Sequence, residues 1–227
     1  AEQVALILGA AGFATPEPIY YAYITLKEGK MSTRKGTVML LSDFLDEAES
    51  RAAEKVEEQC RDLTAGERRA IVKQVAIAAV RFAILRVNPN KNVVFEWESA
   101  LSFTGDTGPY VQYSCARIAS ILRKFGERPE TIGETFPVET AAEWALLMQL
   151  ASFPGVVANA VAQRNCAPIG QYALDTARTF TTFYHECPVI SAPTREQQVA
   201  RAQMCMAARQ TLKNALGLLG ITAPERM

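Results

Sequence analysis

Gly105-Asp106-Thr107-Gly108-Pro109-Tyr110-Val111-Gln112-Tyr113, continued as far as Gly126, is the stretch that decides the fold. The Thr107 hydroxyl can accept from the free backbone N–H groups that open a helix. Pro109 suits a first turn, where its missing N–H is not needed, and Gly126 suits a left-handed stop. Between them Val111, Cys115, Ile118, Leu122 and Phe125 recur at steps of three and four, which puts them on one face. The spacing predicts a capped amphipathic helix over about 107–126. The same signals recur downstream. Thr140 with Glu143, and Thr194 with Gln197, pair a hydroxyl with a carboxylate or amide three residues on, as a capping box does. Pro154 and Pro168 each open another helix. The second of these reaches about Glu186, and the last helix reaches Gly217 or Gly220.

Upstream, Thr64 with Glu67 opens a helix to about Val87, ended by Asn88-Pro89-Asn90. Ile71, Val75, Ala78, Ala79, Phe82 and Leu85 form its apolar side, and Ala76, Ile77 and Val80 widen it. A helix this apolar is expected to be buried. A charged helix precedes it from Phe44 to about Leu63, capped by Ser42 or Asp43, with Glu47 and Arg51 as a favourable pair. Residues 93–103 show no clear period, and Phe95 and Trp97 are expected to anchor them against the helices.

The start of the chain reads differently. Residues 1–13 fit a short helix stopped at Gly12, Pro16 and Pro18 force an extended connection, and 19–26 has the aromatic and β-branched content of a strand. Val38-Met39-Leu40-Leu41 is a short apolar run. Between these lies Gly29-Lys30-Met31-Ser32-Thr33-Arg34-Lys35-Gly36, with three cations and two hydroxyls between glycines. Such a loop can bend tightly and bring backbone N–H groups and cations around an anion, phosphate above all. A solvated basic turn is the plainer alternative. The Gly-x4-Gly-Lys-Ser/Thr pattern of a P-loop is missing. The fold class expected is mainly α: an α-helical bundle preceded by a small α/β remnant of a Rossmann-type domain. The divisions are 1–43, a connecting stem over 44–104, and a helical domain over 105–227.

Bulk properties narrow the function classes. The 227 residues are 49% hydrophobic and 21% charged, ordinary for a globular chain, and Lys+Arg equals Asp+Glu at 24 each. Any contact with nucleic acid should therefore be a local patch. No apolar run reaches the ~18 residues of a membrane span, and Ala1-Glu2-Gln3 lacks a secretory pattern. The five cysteines, without Cys-x-x-Cys, read as buried reduced thiols of a cytoplasmic protein. A zinc site is not expected with one histidine. A triad built on His185 lacks a nucleophile elbow.

The basic loop resembles the Lys-Met-Ser-Lys-Ser loop of class I aminoacyl-tRNA synthetases. Here it reads Lys30-Met31-Ser32-Thr33-Arg34, with Thr33 in place of the second lysine. Thr33-Arg34-Lys35-Gly36 fits the form seen in the arginyl-tRNA synthetase family. Gly105 to Tyr113 is similar to the segment that enters that family's anticodon-binding domain, and Leu218-Leu219-Gly220-Ile221-Thr222-Ala223-Pro224-Glu225-Arg226-Met227 is similar to its C-terminal tail. Ser114-Cys115 stands where the family commonly has Ala-His, so no role for that histidine carries over.

The resemblance implies ATP-dependent ligation of arginine to its tRNA by a longer enzyme. One histidine cannot supply the class's His-x-Gly-His motif, so this chain would be the C-terminal part, inactive alone. Lys30, Arg34 and Lys35 would stabilise charge on the departing pyrophosphate, and Lys30, Met31, Ser32, Thr33 and Gly36 would contact ATP, brought with Mg2+. Tyr113, Arg117, Tyr184, His185, Arg209 and Met227 would read the anticodon loop, with the tail packed beside the helix that ends at His185 and Glu186. Core packing for the tyrosines, solvated arginines and a carbonyl-capping His185 are the plainer roles. Met227 has no evident packing role. A monomer without membrane contact is expected, and no protein-bound metal. A stand-alone helical tRNA-binding module, or another class I synthetase of the cysteine or methionine type, are the alternatives.

Overall fold

The computed structural model describes residues 1–17, 19–27, 40–60, 63–126 and 137–227. The basic segment, and with it every candidate from Lys30, Met31, Ser32, Thr33 and Arg34 to Lys35 and Gly36, lies outside the described residues.

The chain runs α1 (Glu2–Ala10), β1 (Ile24–Leu26), α2 (Leu41–Gln59), α3 (Ala65–Leu85), β2 (Val93–Phe95), α4 (Trp97–Ala100), α5 (Gly108–Phe125), α6 (Ala141–Ala151), α7 (Phe153–Gln163), α8 (Ala167–Glu186) and α9 (Arg195–Leu218). The three capping boxes form as the spacing predicts, at Thr64 with Glu67, Thr140 with Glu143 and Thr194 with Gln197. Thr107 accepts from the Tyr110 N–H, and Gly126 closes α5 in the left-handed region at φ 80°.

Two hydrophobic cores organise these elements, and α3 belongs to both. Ala78 and Phe82 face a helical core with Ile118, Leu146, Leu174, Phe180, Phe183, Met204, Leu212 and Leu216. Ile71, Val75, Ala76, Ala79 and Val80 face a stem core with Ala48, Ala52 and Val56 of α2, and with Phe95, Trp97 and Leu101. That double duty is why α3 is apolar almost all round. Each large side chain fully withdrawn here contributes about 1.5–3 kcal/mol of hydrophobic stabilisation. Ile77 is the exception to the expected stripe: it is exposed and belongs to neither core. Phe95 and Trp97 do anchor their segment, through an aromatic cluster with Phe44 at centroid distances of 4.8–5.1 Å.

Several expectations need correction. The strand expected over 19–26 is confined to Ile24–Leu26, which pairs in parallel with Val93–Phe95. The segment just before it is held by a turn instead: the Ala22 N–H donates to Pro89 O at 2.7 Å, and the Tyr23 N–H to Asn92 Oδ1 at 3.2 Å. Ser42 and Asp43 are not caps. The helix begins at Leu41, so both lie inside its first turn, where Asp43 can still oppose the helix dipole. Cys60, Cys115, Cys187 and Cys205 are buried free thiols as expected, but Cys166, at the N-cap of α8, is exposed. The stretch 141–163, α6 and α7 joined through Ser152, is long and apolar enough to cross a membrane by length and composition. Buried Ala142, Glu143 and Leu146 on α6, and Ala160 on α7, tie it to the rest of the bundle.

Candidate nucleic-acid interface

Helix α5 is set in place at its start. Gly108 lies so close to α3 that an added Cβ would stand 2.5 Å from Ala78 O and 2.8 Å from Phe82 Cβ. The Thr107 hydroxyl donates to Ser102 O at 2.5 Å. Gln112, fully buried, donates its amide N–H groups to Gln74 O at 3.2 Å and Thr222 O at 2.6 Å, which joins α5 to α3 and to the C-terminal tail. Helix α8 is held by Phe180 and Phe183 in the helical core, and at its end by a 3.2 Å contact of Cys187 Sγ with Thr140 Oγ1.

With both helices fixed, Arg117 of α5 lies over the ring of Tyr184 on α8, its guanidinium carbon 4.2 Å from the ring centroid. Tyr184 is half-buried, stacked with Phe180 at 6.4 Å, with the exposed His185 ring edge-on at 5.8 Å. Tyr113, one helical turn before Arg117 on the same face, is 42% exposed. So Tyr113, Arg117, Tyr184 and His185 share one surface. Two aromatic rings, an imidazole and a planar guanidinium there could stack with unpaired bases. His185 lies in the last turn of α8, and the cap N–H there, from Cys187, goes to Phe183 O.

Arg209 and Met227 have other partners among the described residues. Arg209 pairs with Glu225. Met227 packs partly against the stem core, so it does have a packing role. The tail was expected beside α8; its hydrogen bonds and ion pairs among the described residues go to α3, α5 and α9. Arg81 donates to Gly220 O at 2.7 Å, Arg123 to Glu225 O at 3.0 Å, and Arg226 pairs with Glu67 at 3.1 Å. Ile221 enters the helical core. The buried Gln112 amide needs a second carbonyl, and Thr222 supplies it on this side.

Some organising residues escaped the sequence reading. Asp106 bridges Arg86 at the end of α3, at 3.5 Å, and Arg178 of α8. Glu143 and Arg201 form an ion pair at 2.7 Å with both side chains almost wholly buried. Burial works against the Glu143 carboxylate. The Arg201 guanidinium and the backbone N–H groups of Glu139 and Thr140 outweigh it and hold the carboxyl below its ordinary range. Burial pushes the Cys115 and Cys205 thiols up to about 12, which makes both inert near neutrality. Glu143 carried a signal, its capping box; its partner Arg201 carried none. Among the described residues no group of three or more His, Cys, Asp or Glu is placed to hold a metal.

Comparison with known proteins agrees with this layout. Residues 111–227 match the DALR anticodon binding domain, and residues 16–97 match the catalytic domain of the class I (R) tRNA synthetases. The second span takes in β1, β2 and the stem helices. The chain thus belongs to the class I aminoacyl-tRNA synthetases that carry a DALR anticodon-binding domain. It is 40% identical over 211 residues to an arginine–tRNA ligase of Methanopyrus kandleri, covering 92% of this chain and 35% of the relative. It is 39% identical over 227 residues to one of Methanothermobacter thermautotrophicus, covering 100% of this chain and 40% of the relative. The Thermus thermophilus arginyl-tRNA synthetase structure superposes with a TM-score of 0.82 at 36% identity, over 91% of this chain and 35% of that one. Within its class the chain belongs to the arginyl-tRNA synthetase family, and it spans 35–40% of the length of these curated relatives.

Proposed function

We propose that this chain is the C-terminal part of an enzyme that joins arginine to its tRNA at the expense of ATP, and that its helical domain reads the anticodon loop. The observation that carries the reading is the Arg117–Tyr184 stack at 4.2 Å, flanked by exposed Tyr113 and His185 on a domain of the anticodon-binding family. Base–aromatic stacking is worth about 1–3 kcal/mol per base. Lys30, Arg34 and Lys35 serve the other end of the reaction. Negative charge builds on pyrophosphate as it leaves, and cations there stabilise the transition state more than the ground state. ATP arrives with Mg2+ as substrate. The enzyme acts as a monomer in the cytoplasm, away from membranes.

The binding half is tested with the 227-residue chain. Arginine tRNA should bind better than other tRNAs, with affinity falling as salt rises. Tyr184→Ala should weaken it about 5- to 150-fold, the loss of one stacked base. Equal affinity for every tRNA would instead favour a generic RNA-binding module. For the basic segment, Lys30, Arg34 and Lys35 are changed together to Ala in the complete enzyme. Adenylate formation should slow while tRNA binding holds. Unchanged adenylate formation would remove these residues from catalysis.

A further inference from the structure

The C-terminal tail draws together cations from two helices. Arg209 and Lys213 sit one turn apart on α9 and both reach the Glu225 carboxylate, Lys213 at 3.5 Å. Arg123, from α5, donates to the Glu225 backbone oxygen at 3.0 Å. Two cations therefore reach one carboxylate while a third holds the backbone of the same residue, and among these groups positive charge is in excess. The hold is also incomplete: Arg209 Nε is buried and makes no hydrogen bond among the described residues. The Glu225 side chain is 63% exposed, and an exposed ion pair of this kind is easily exchanged.

A carboxylate and a phosphate present similar paired oxygens to a guanidinium, but the phosphate group carries its charge on a chain that can bring many more. We propose that Arg123, Arg209 and Lys213 form a binding site for a backbone phosphate of RNA, and that Glu225 occupies it as a stand-in until RNA arrives. The inference rests on the tRNA reading above and adds a phosphate contact, made by other side chains, to the stacking surface. α5 contributes to both places, through Arg117 to the stack and through Arg123 to the phosphate site. The chain is neutral overall, so this local surplus is the kind of patch that can favour RNA without making the whole surface basic.

The test measures binding of an anticodon stem-loop hairpin of arginine tRNA to the 227-residue chain across a salt series. Glu225→Gln removes the stand-in but not the cations. It should tighten hairpin binding about threefold or more at low salt and steepen the salt dependence. Lys213→Gln should weaken binding and flatten the slope of log K against log salt by about one, and Lys213→Arg should restore both. Both side chains lie at the surface, and thermal unfolding of each variant confirms that it folds. If the unmodified chain binds the hairpin and neither Glu225→Gln nor Lys213→Gln changes affinity or slope, the phosphate site is wrong and the tRNA reading stands. If no variant binds the hairpin, both fall. Inorganic phosphate is titrated in parallel. Binding of it to Glu225→Gln as tight as the hairpin's would assign the site to free phosphate and overturn the RNA assignment.

Discussion

At the scale of single residues, buried charge is the sharpest feature. Glu143 and Arg201 are both nearly sealed from water, and each has further partners: the Thr140 and Glu139 N–H groups for the carboxylate, Pro188 O for the guanidinium. Removing one partner strands the other charge in the core. Arg201→Ala should lower stability by about 3–5 kcal/mol in urea unfolding, and an apolar pair at the two positions should recover much of that. The pH dependence follows from the depressed Glu143 carboxyl. Its folded pKa lies below the unfolded value, ordinarily about 4.3. The contribution is therefore complete above that value and is lost as pH falls through the folded pKa. Glu143→Gln keeps a side chain able to complete the capping box but cannot ionise. The stability gap between it and the unmodified chain should be steady near neutrality and shrink below about pH 4. A gap independent of pH down to 3 would show that the charge of Glu143 contributes nothing.

At the scale of elements, the crossing of α3 and α5 depends on a missing side chain. At Gly108 a Cβ would meet backbone, which cannot swing aside as a side-chain tip can. Gly108→Ala should destabilise by about 1–3 kcal/mol, as overpacking does, and should disturb the Arg117–Tyr184 stack by shifting α5. Gly126→Ala makes a useful contrast. An added Cβ there meets nothing within 4 Å among the described residues, and the penalty comes from its φ of +80°. That variant should lose stability and keep hairpin affinity once folded. Equal effects of the two on RNA binding would argue against the packing explanation.

Across the whole molecule, the tail after α9 fastens the helical bundle to the stem. Ile221 fills the bundle core, Arg226 reaches Glu67 on α3, and Met227 rests on the stem core. Ile221→Ala should cost about 2–5 kcal/mol. Hydrogen exchange should then quicken in α3 and α9 together, since both pack against what the tail covers. Exchange confined to the last few residues would mean that the tail is only an appendage.

The sequence determined most of the helices and their class. Thr107, Pro109, Gly126 and the three capping boxes act on backbone groups within a turn, so their effect can be read locally. The basic segment and the Gly105–Tyr113 stretch carried the family, because those residue types in that order suit few other purposes. Only tertiary structure decided that Ile24–Leu26 pairs with Val93–Phe95, that Arg117 lies over Tyr184, and that the tail bonds to α3, α5 and α9. Those contacts join residues far apart in the chain, 159 positions for Arg226 and Glu67. No periodicity or cap encodes which distant partner a surface arginine or a buried amide will find. That is settled when whole helices pack, and the buried polar groups take whichever acceptors the packing brings within reach.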